Sequence, residues 1–110
     1  MHNVYPYLLR HLEVVKPNQV WALDITYIPM AKGFVYLTCV MDIYSTITLS
    51  RGIPKTLDAS FCVLAYTQGV RMYESSDIIH TDQGPQFTSD AVVAAVGKFG
   101  ARLSMDGKGT

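Results

Sequence analysis

Several features that would point to a secreted, membrane-bound or strongly nucleic-acid-binding protein are scarce in this sequence. Its two cysteines, Cys39 and Cys62, are far apart and show no Cys-x-x-Cys spacing. They favour two buried thiols in a reducing compartment over a disulfide or a zinc site. No charged-then-apolar leader opens the chain, and no apolar run approaches membrane-spanning length, so we expect a cytoplasmic protein without membrane contact.

Charge of either sign is also sparse. Nine basic and nine acidic residues give a formal net charge of zero. Strong autonomous binding to nucleic acid depends on clustered Lys and Arg that neutralise phosphates. We therefore expect weak or partner-assisted contact with nucleic acid at most.

What is present is the composition of one small folded domain. The chain has 110 residues, of which 49% are hydrophobic and 16% charged, and these values favour a packed core over disorder. Residues 1–19 contain the helix and strand breakers Pro6 and Pro17 and are predicted to be a linker or arm. Residues 20–110 are predicted to form the domain.

The first half of the domain is predicted to be three strands joined by short turns. "VWALDITYI" from Val20, "FVYLTCVMDIY" from Phe34 and "TITLSRGI" from Thr46 are rich in β-branched and aromatic residues. Such short connections make neighbouring strands antiparallel.

The second half alternates helices with strands. A helix with Thr56 as a candidate cap and Asp58 near its N-terminus continues through Met72. A short strand at Ile78-Ile79 follows and should lie parallel to a strand already in the sheet, because a helix separates them. A second helix, which ends at a glycine cap, and the strand "ARLSM" complete a mixed α/β sheet.

Two aspartates occupy positions that a structural role explains poorly. Asp24 lies in the middle of the first strand between apolar neighbours, and Asp82 directly follows the fourth strand. If these strands are neighbours, the two carboxylates meet at one edge of the sheet, where they must share a proton or hold a cation. Oxygen ligands of this kind suit Mg²⁺ or Mn²⁺. A carboxylate bonded to a nearby backbone group remains the alternative for Asp24.

The loop "HTDQGPQFTS" adds groups suited to a phosphate-containing substrate. Gly84 allows the backbone to pass close to a substrate, and Gln83 and Gln86 offer neutral donors for phosphates or bases. His80 is better explained as a packed, hydrogen-bonded histidine than as a metal ligand. Asp42, beside Ser45, is better explained as a turn cap than as a third metal ligand.

These segments resemble a known family. The stretches "NQVWALDITYIP", "GFVYLTCVMDIYS", "HTDQGPQFTS" and "SMDGKG" are similar to the integrase-like catalytic core of bacterial insertion-sequence transposases, which are related to retroviral integrases. The resemblance implies a ribonuclease-H-like fold and metal-dependent cleavage and strand transfer of transposon-end DNA. It also implies Mg²⁺ or Mn²⁺ as cofactor, Asp24 and Asp82 as catalytic metal ligands, and Gln83, Gly84, Gln86 and Lys108 as contacts with DNA.

The sequence departs from this family pattern at the third acid. In the family a glutamate follows the second aspartate by roughly thirty-five residues, which is beyond Thr110 here. Two other acids of the chain, Glu74 and Asp106, do not match its position. Relatives also tend to carry arginine where this chain has Thr46, and the expected upstream DNA-recognising region is not seen.

We therefore expect a C-terminally incomplete transposase core that has lost activity. Its partners would be transposon-end and target DNA and further copies of the protein. One alternative is a non-catalytic remnant that associates with intact transposase. Another is a ribonuclease-H-type nuclease that uses Asp24, Asp42 and Asp82, and the position of Asp42 distinguishes this alternative from the others.

Overall fold

The computed structural model describes residues 6–54 and 58–106. In these ranges the elements follow the predicted order: β1 (Val20–Pro29), β2 (Phe34–Asp42), β3 (Thr48–Gly52), α1 (Ala59–Tyr73), β4 (Ile78–Thr81), α2 (Asp90–Lys98) and β5 (Arg102–Met105). No helix in the described ranges is long and apolar enough to cross a membrane.

The five strands form one mixed sheet in the order β3-β2-β1-β4-β5. β1, β2 and β3 are antiparallel neighbours, and β4 lies parallel to β1 and to β5. The predictions of an antiparallel first half and of a parallel fourth strand are confirmed. The parallel arrangement brings the C-terminal ends of β1, β4 and β5 to the same edge of the sheet.

Several element boundaries differ from the sequence prediction, among them the end of β2, which is Asp42 and not Tyr44. β3 begins at Thr48 and not at Thr46, because Thr46 has a φ of 61° and its N–H donates to the Asp42 carbonyl in a turn. The N-cap of α1 is Asp58, whose carboxylate accepts a hydrogen bond from the Ser60 N–H. Thr56, the predicted cap, lies outside the described residues.

Both helices pack on one face of the sheet. α1 contacts α2, β2 and β3, and α2 contacts β5. Trp21 of β1 is fully buried on this face, with its ring 6.2 Å from that of Tyr66 in α1. Because side chains alternate along a strand, Ala22 and Asp24 point to the opposite face. The packing of the core therefore fixes the face on which Asp24 lies.

The start of the described N-terminal arm, residues 6–8, lies beside β5. The Pro6 carbonyl accepts a hydrogen bond from the Met105 N–H at 2.9 Å, and the Leu8 N–H donates to the Ser104 hydroxyl at 2.9 Å. Ser104 is fully buried by these contacts. The division of the chain after residue 19 stays a prediction, but the arm clearly packs on the sheet.

Candidate metal and DNA site

Asp24 and Asp82 lie at the same end of two adjacent strands. β1 and β4 are parallel, with Ala22 paired to His80, and each aspartate follows its paired residue by two positions. Both side chains are exposed and line one depression of about 310 Å³, whose lining is completed by Ala22, Leu23, His80, Thr81 and Asp106. The sequence thus predicted that the two acids would be neighbours, while their assignment as catalytic metal ligands stays a prediction.

The Asp24 carboxylate is available to a ligand. Within residues 6–54 and 58–106, no hydrogen bond or ion pair involves this side chain, so the backbone-bonded alternative is not what the structure shows. Asp24 of β1 is paired with Cys39 of β2. Burial raises the pKa of the Cys39 thiol, the Asp24 charge raises it further, and Arg51 partly offsets this effect.

The turn after β4 holds Asp82 in a defined orientation. The Gly84 N–H donates to Asp82 Oδ1 at 2.7 Å. A Cβ atom at Gly84 would lie 2.8 Å from Asp82 Oδ1 and 2.9 Å from Gln86 Nε2, which is closer than real Cβ contacts come. The absence of a side chain at Gly84 therefore allows the Asp82 carboxylate and the Gln86 amide to converge.

This turn is anchored to the core on its far side. Phe87 is fully buried and its N–H donates to the Gly84 carbonyl. Ser89 caps α2, since its hydroxyl donates to the Gln86 carbonyl and accepts from the Val92 N–H. The roles of Gln83, Gly84 and Gln86 in DNA binding stay predictions. Lys108, the fourth predicted contact, lies outside the described residues.

Asp42 is a turn cap, as the sequence favoured. It is 2% exposed and accepts hydrogen bonds from the Asn18 N–H at 2.9 Å, the Ser45 N–H at 3.0 Å and the Ser45 hydroxyl at 2.7 Å. Burial acts to raise the pKa of Asp42, but these hydrogen bonds outweigh it and lower the pKa below 3.8.

Asp42 is also far from Asp24. It is paired with Trp21 on the helix-covered face and lies three residues along β2 from the partner of Asp24, which is about 10 Å at the usual rise of a strand. The ribonuclease-H-type alternative that uses Asp42 is therefore left without its third carboxylate.

His80 is packed and hydrogen-bonded, as predicted. Its Nδ1 lies 2.8 Å from the Ser104 hydroxyl, its Nε2 lies 2.9 Å from Asp106 Oδ1, and its ring meets Tyr7 edge-on at 5.6 Å. Sequence reasoning placed Asp106 outside the site because it does not match the position of the family glutamate. The available signal was that Asp106 follows β5, which ends at the same edge as β4.

The oxygen ligands at this edge fit a hard divalent cation. Asp24 and Asp82 offer carboxylate oxygens and no sulfur, a donor type that Mg²⁺ and Mn²⁺ prefer. Cys62 is the thiol whose pKa the Asp82 charge affects, and it is buried. Burial, followed by the charges of Asp58 and Asp82, raises its pKa to about 11. Among the described residues, no group of three His, Cys, Asp or Glu side chains could hold a metal together.

Protein families and curated proteins that are similar in sequence agree on the family of this chain. Residues 14–110 match the family model of the integrase core domain. The transposase for insertion sequence element IS904 of Lactococcus lactis is 33% identical over 95 residues, which are 84% of this chain and 38% of that protein. The transposase InsF for insertion sequence IS3A of Escherichia coli is also 33% identical over 95 residues, 84% of this chain and 33% of that protein. The chain thus spans about a third of the length of these relatives.

Solved structures share the fold. The catalytic core domain of HTLV-2 integrase in complex with magnesium, in its dimeric form, superimposes with a TM-score of 0.72 at 24% identity and covers 81% of this chain and 61% of that one. An intasome of simian T-cell lymphotropic virus in complex with the PP2A regulatory subunit B56 gamma gives a TM-score of 0.79 at 21% identity, with 91% and 38% covered. The expected ribonuclease-H-like architecture is confirmed. The chain belongs to the integrase core domain family.

Proposed function

We propose that this chain is the catalytic core of an insertion-sequence transposase, which cuts transposon-end DNA and joins it to target DNA with Mg²⁺ or Mn²⁺. The observation that carries the proposal is the meeting of Asp24 and Asp82 at one depression between parallel strands. Its support from the comparisons is that the curated relatives are transposases for insertion sequences and that one structural relative is a magnesium complex.

In this proposal Asp24 and Asp82 hold the divalent ion. When bound, the ion activates the attacking water or 3′ hydroxyl and neutralises charge on the leaving oxygen. The Gly84 N–H fixes the direction of the Asp82 carboxylate, and the exposed Asp24 carboxylate needs no rearrangement to accept the ion.

The turn after Asp82 faces the DNA. Gln83 and Gln86 supply neutral hydrogen-bond donors for phosphates or base edges, Gly84 permits close approach of the backbone, and Lys108 adds a positive charge. Because the net charge of the chain is zero, these contacts position DNA more than they provide affinity.

We also propose that the protein works in the cytoplasm, where the DNA of its bacterial relatives lies, and that it self-associates. Exposed aromatic side chains that lie against each other support association: Tyr27 is 60% and Phe34 45% exposed, and their rings stack at 4.4 Å. Sedimentation should show a molecular weight that rises with concentration, and a monomer at all concentrations would contradict self-association.

Calorimetric titration with Mn²⁺ tests the site in the chain as it stands. We expect one weak binding event, because two carboxylates leave most of the coordination to water. Asp82→Asn should abolish it. Asp77→Asn, which removes the same charge at the opposite end of β4, should retain it. Binding that survives Asp82→Asn would contradict the proposal.

A second candidate function is association with intact transposase without cleavage. It is favoured by the lack, among the described residues, of a third side chain that completes a metal-holding group. An assay of strand transfer by an active relative, with and without added chain, tests this candidate. Inhibition that depends on the dose of the chain is expected, and no effect at any ratio would contradict it.

A further inference from the structure

We infer that Asp106 is a further acidic residue of the cation site, which acts through the water bound to the ion and is positioned by His80. The inference rests on the proposed function, since it extends the Asp24 and Asp82 site. It concerns a residue that does not match the position of the family's third acid.

The placement of Asp106 is the first support. It directly follows β5, which is parallel to β4, and its N–H donates to the Thr81 carbonyl at 3.1 Å. Thr81 immediately precedes Asp82, so the main chain of Asp106 is tied to the strand that ends at the proposed ligand. Its side chain lines the same depression as Asp24 and Asp82.

The orientation of the carboxylate is the second support. His80 Nε2 lies 2.9 Å from Asp106 Oδ1, while His80 Nδ1 is held by the buried Ser104 hydroxyl at 2.8 Å. The imidazole is therefore fixed on both sides and packed against Tyr7. This arrangement uses one carboxylate oxygen of Asp106 and leaves Oδ2 for a second partner.

Asp106 is placed to act on the ion through a bound water molecule. Asp106 does not form a three-residue metal-holding group with Asp24 and Asp82 in the described parts of the chain, so in this arrangement it does not join them as a direct ligand. Mg²⁺ and Mn²⁺ bound by few carboxylates keep several water ligands. The Asp106 side chain is 67% exposed, so it can accept a hydrogen bond from such a water without loss of its own hydration.

Asp77 provides a matched control. Its side chain is 62% exposed, similar to the 67% of Asp106, and it also has one side-chain partner, Lys16 at 3.7 Å. It lies before β4, whereas Asp106 lies beside the end of that strand. A change to Asn at either position removes one exposed charge and weakens one side-chain contact, and the two positions differ in their distance to the cation site.

The test is titration of the 110-residue chain with Mn²⁺ alone, followed by calorimetry and by the electron paramagnetic resonance signal of free Mn²⁺. We expect Asp106→Asn to weaken the affinity roughly three- to tenfold, the range of one charge acting near the ion in water. Asp77→Asn should change it less than twofold, and Asp106→Glu should recover most of the affinity. Thermal melting of each variant establishes that it is folded.

The outcomes separate this inference from the proposed function. Loss of binding in Asp82→Asn together with unchanged affinity in Asp106→Asn would overturn the role of Asp106 alone. Equal weakening by Asp106→Asn and Asp77→Asn would also overturn it, because a general charge effect would then suffice. No Mn²⁺ binding by the unaltered chain would overturn both proposals.

Discussion

Aspartates at the two ends of the central strands lie in opposite environments. At the end where β1 begins, Asp42 is 2% exposed and accepts three hydrogen bonds from Asn18 and Ser45. Toward the end where β4 stops, Asp24 and Asp82 are exposed and face a common depression. The first carboxylate has its partners within the protein, and the other two have oxygens available for a partner from outside.

The difference teaches that an acid in a strand is not by itself a sign of function. Asp42 holds the chain before β1 to the turn after β2, and Asn18 continues this network by accepting a hydrogen bond from Trp21 Nε1 at 2.9 Å. Removal of Asp42 should therefore affect folding, whereas removal of Asp24 or Asp82 should affect ligand binding.

The largest expected effect is that of Asp42→Ala on stability. The change leaves the Asn18 and Ser45 N–H groups without their acceptor in a partly buried place, and hydrogen bonds to a charged group are worth about 1.5–3 kcal/mol each. We expect a loss of about 2–4 kcal/mol in the free energy of unfolding, measured by urea denaturation. Asp42→Asn, which keeps one acceptor oxygen, should lose less. A loss below about 1 kcal/mol in Asp42→Ala would show that the network contributes little.

The hydrogen bonds of Asp42 should also affect how stability depends on pH. Because the pKa of Asp42 is lowered in the folded protein, its contribution is fully present above the unfolded value near 3.8 and is lost as the pH falls through the lower folded pKa. When the pH is lowered from about 5, the melting temperature should thus fall more in the unaltered chain than in Asp42→Asn. Parallel curves for the two proteins would contradict this assignment.

Gly84→Ala should lower stability less, but it should clearly weaken Mn²⁺ binding. The added Cβ would contact the flexible ends of Asp82 and Gln86, so both can move at a cost of about 1 kcal/mol or less. The displaced Asp82 carboxylate should bind Mn²⁺ several-fold more weakly, as measured by calorimetry. Gly97→Ala is the control, since its Cβ meets open space within α2 and should stabilise the helix by about 0.5–1 kcal/mol. Equal Mn²⁺ affinity in Gly84→Ala and the unaltered chain would contradict the positioning role of this turn.

The sequence predicted the features that depend on local patterns. Alternation in β1 placed Trp21 and Asp24 on opposite faces, and the helix between β3 and β4 predicted a parallel fourth strand. Together these two inferences brought Asp82 beside Asp24. The pairing of Asp42 with Ser45 was predictable for the same reason, since the two residues are three positions apart.

Contacts between distant parts of the chain were not predictable from such patterns. Leu8 and Ser104 are 96 positions apart, and His80 and Asp106 are 26 apart. No periodicity indicates that an irregular arm will pack beside β5 or that a histidine ring will reach an acid on the next strand. The environment of Asp106 therefore became visible only in the folded structure.

The most direct test of the central claim is a double-mutant cycle on Mn²⁺-induced stabilisation with Asp24→Asn, Asp82→Asn and the double variant. At a Mn²⁺ concentration about tenfold above the dissociation constant, the unaltered chain should gain about 1.4 kcal/mol, which raises its melting temperature by several degrees. If the two carboxylates hold one ion, either single change should remove nearly all of this gain, and the double change should remove no more. Two independent, additive losses, or a gain that persists in the double variant, would contradict a shared site.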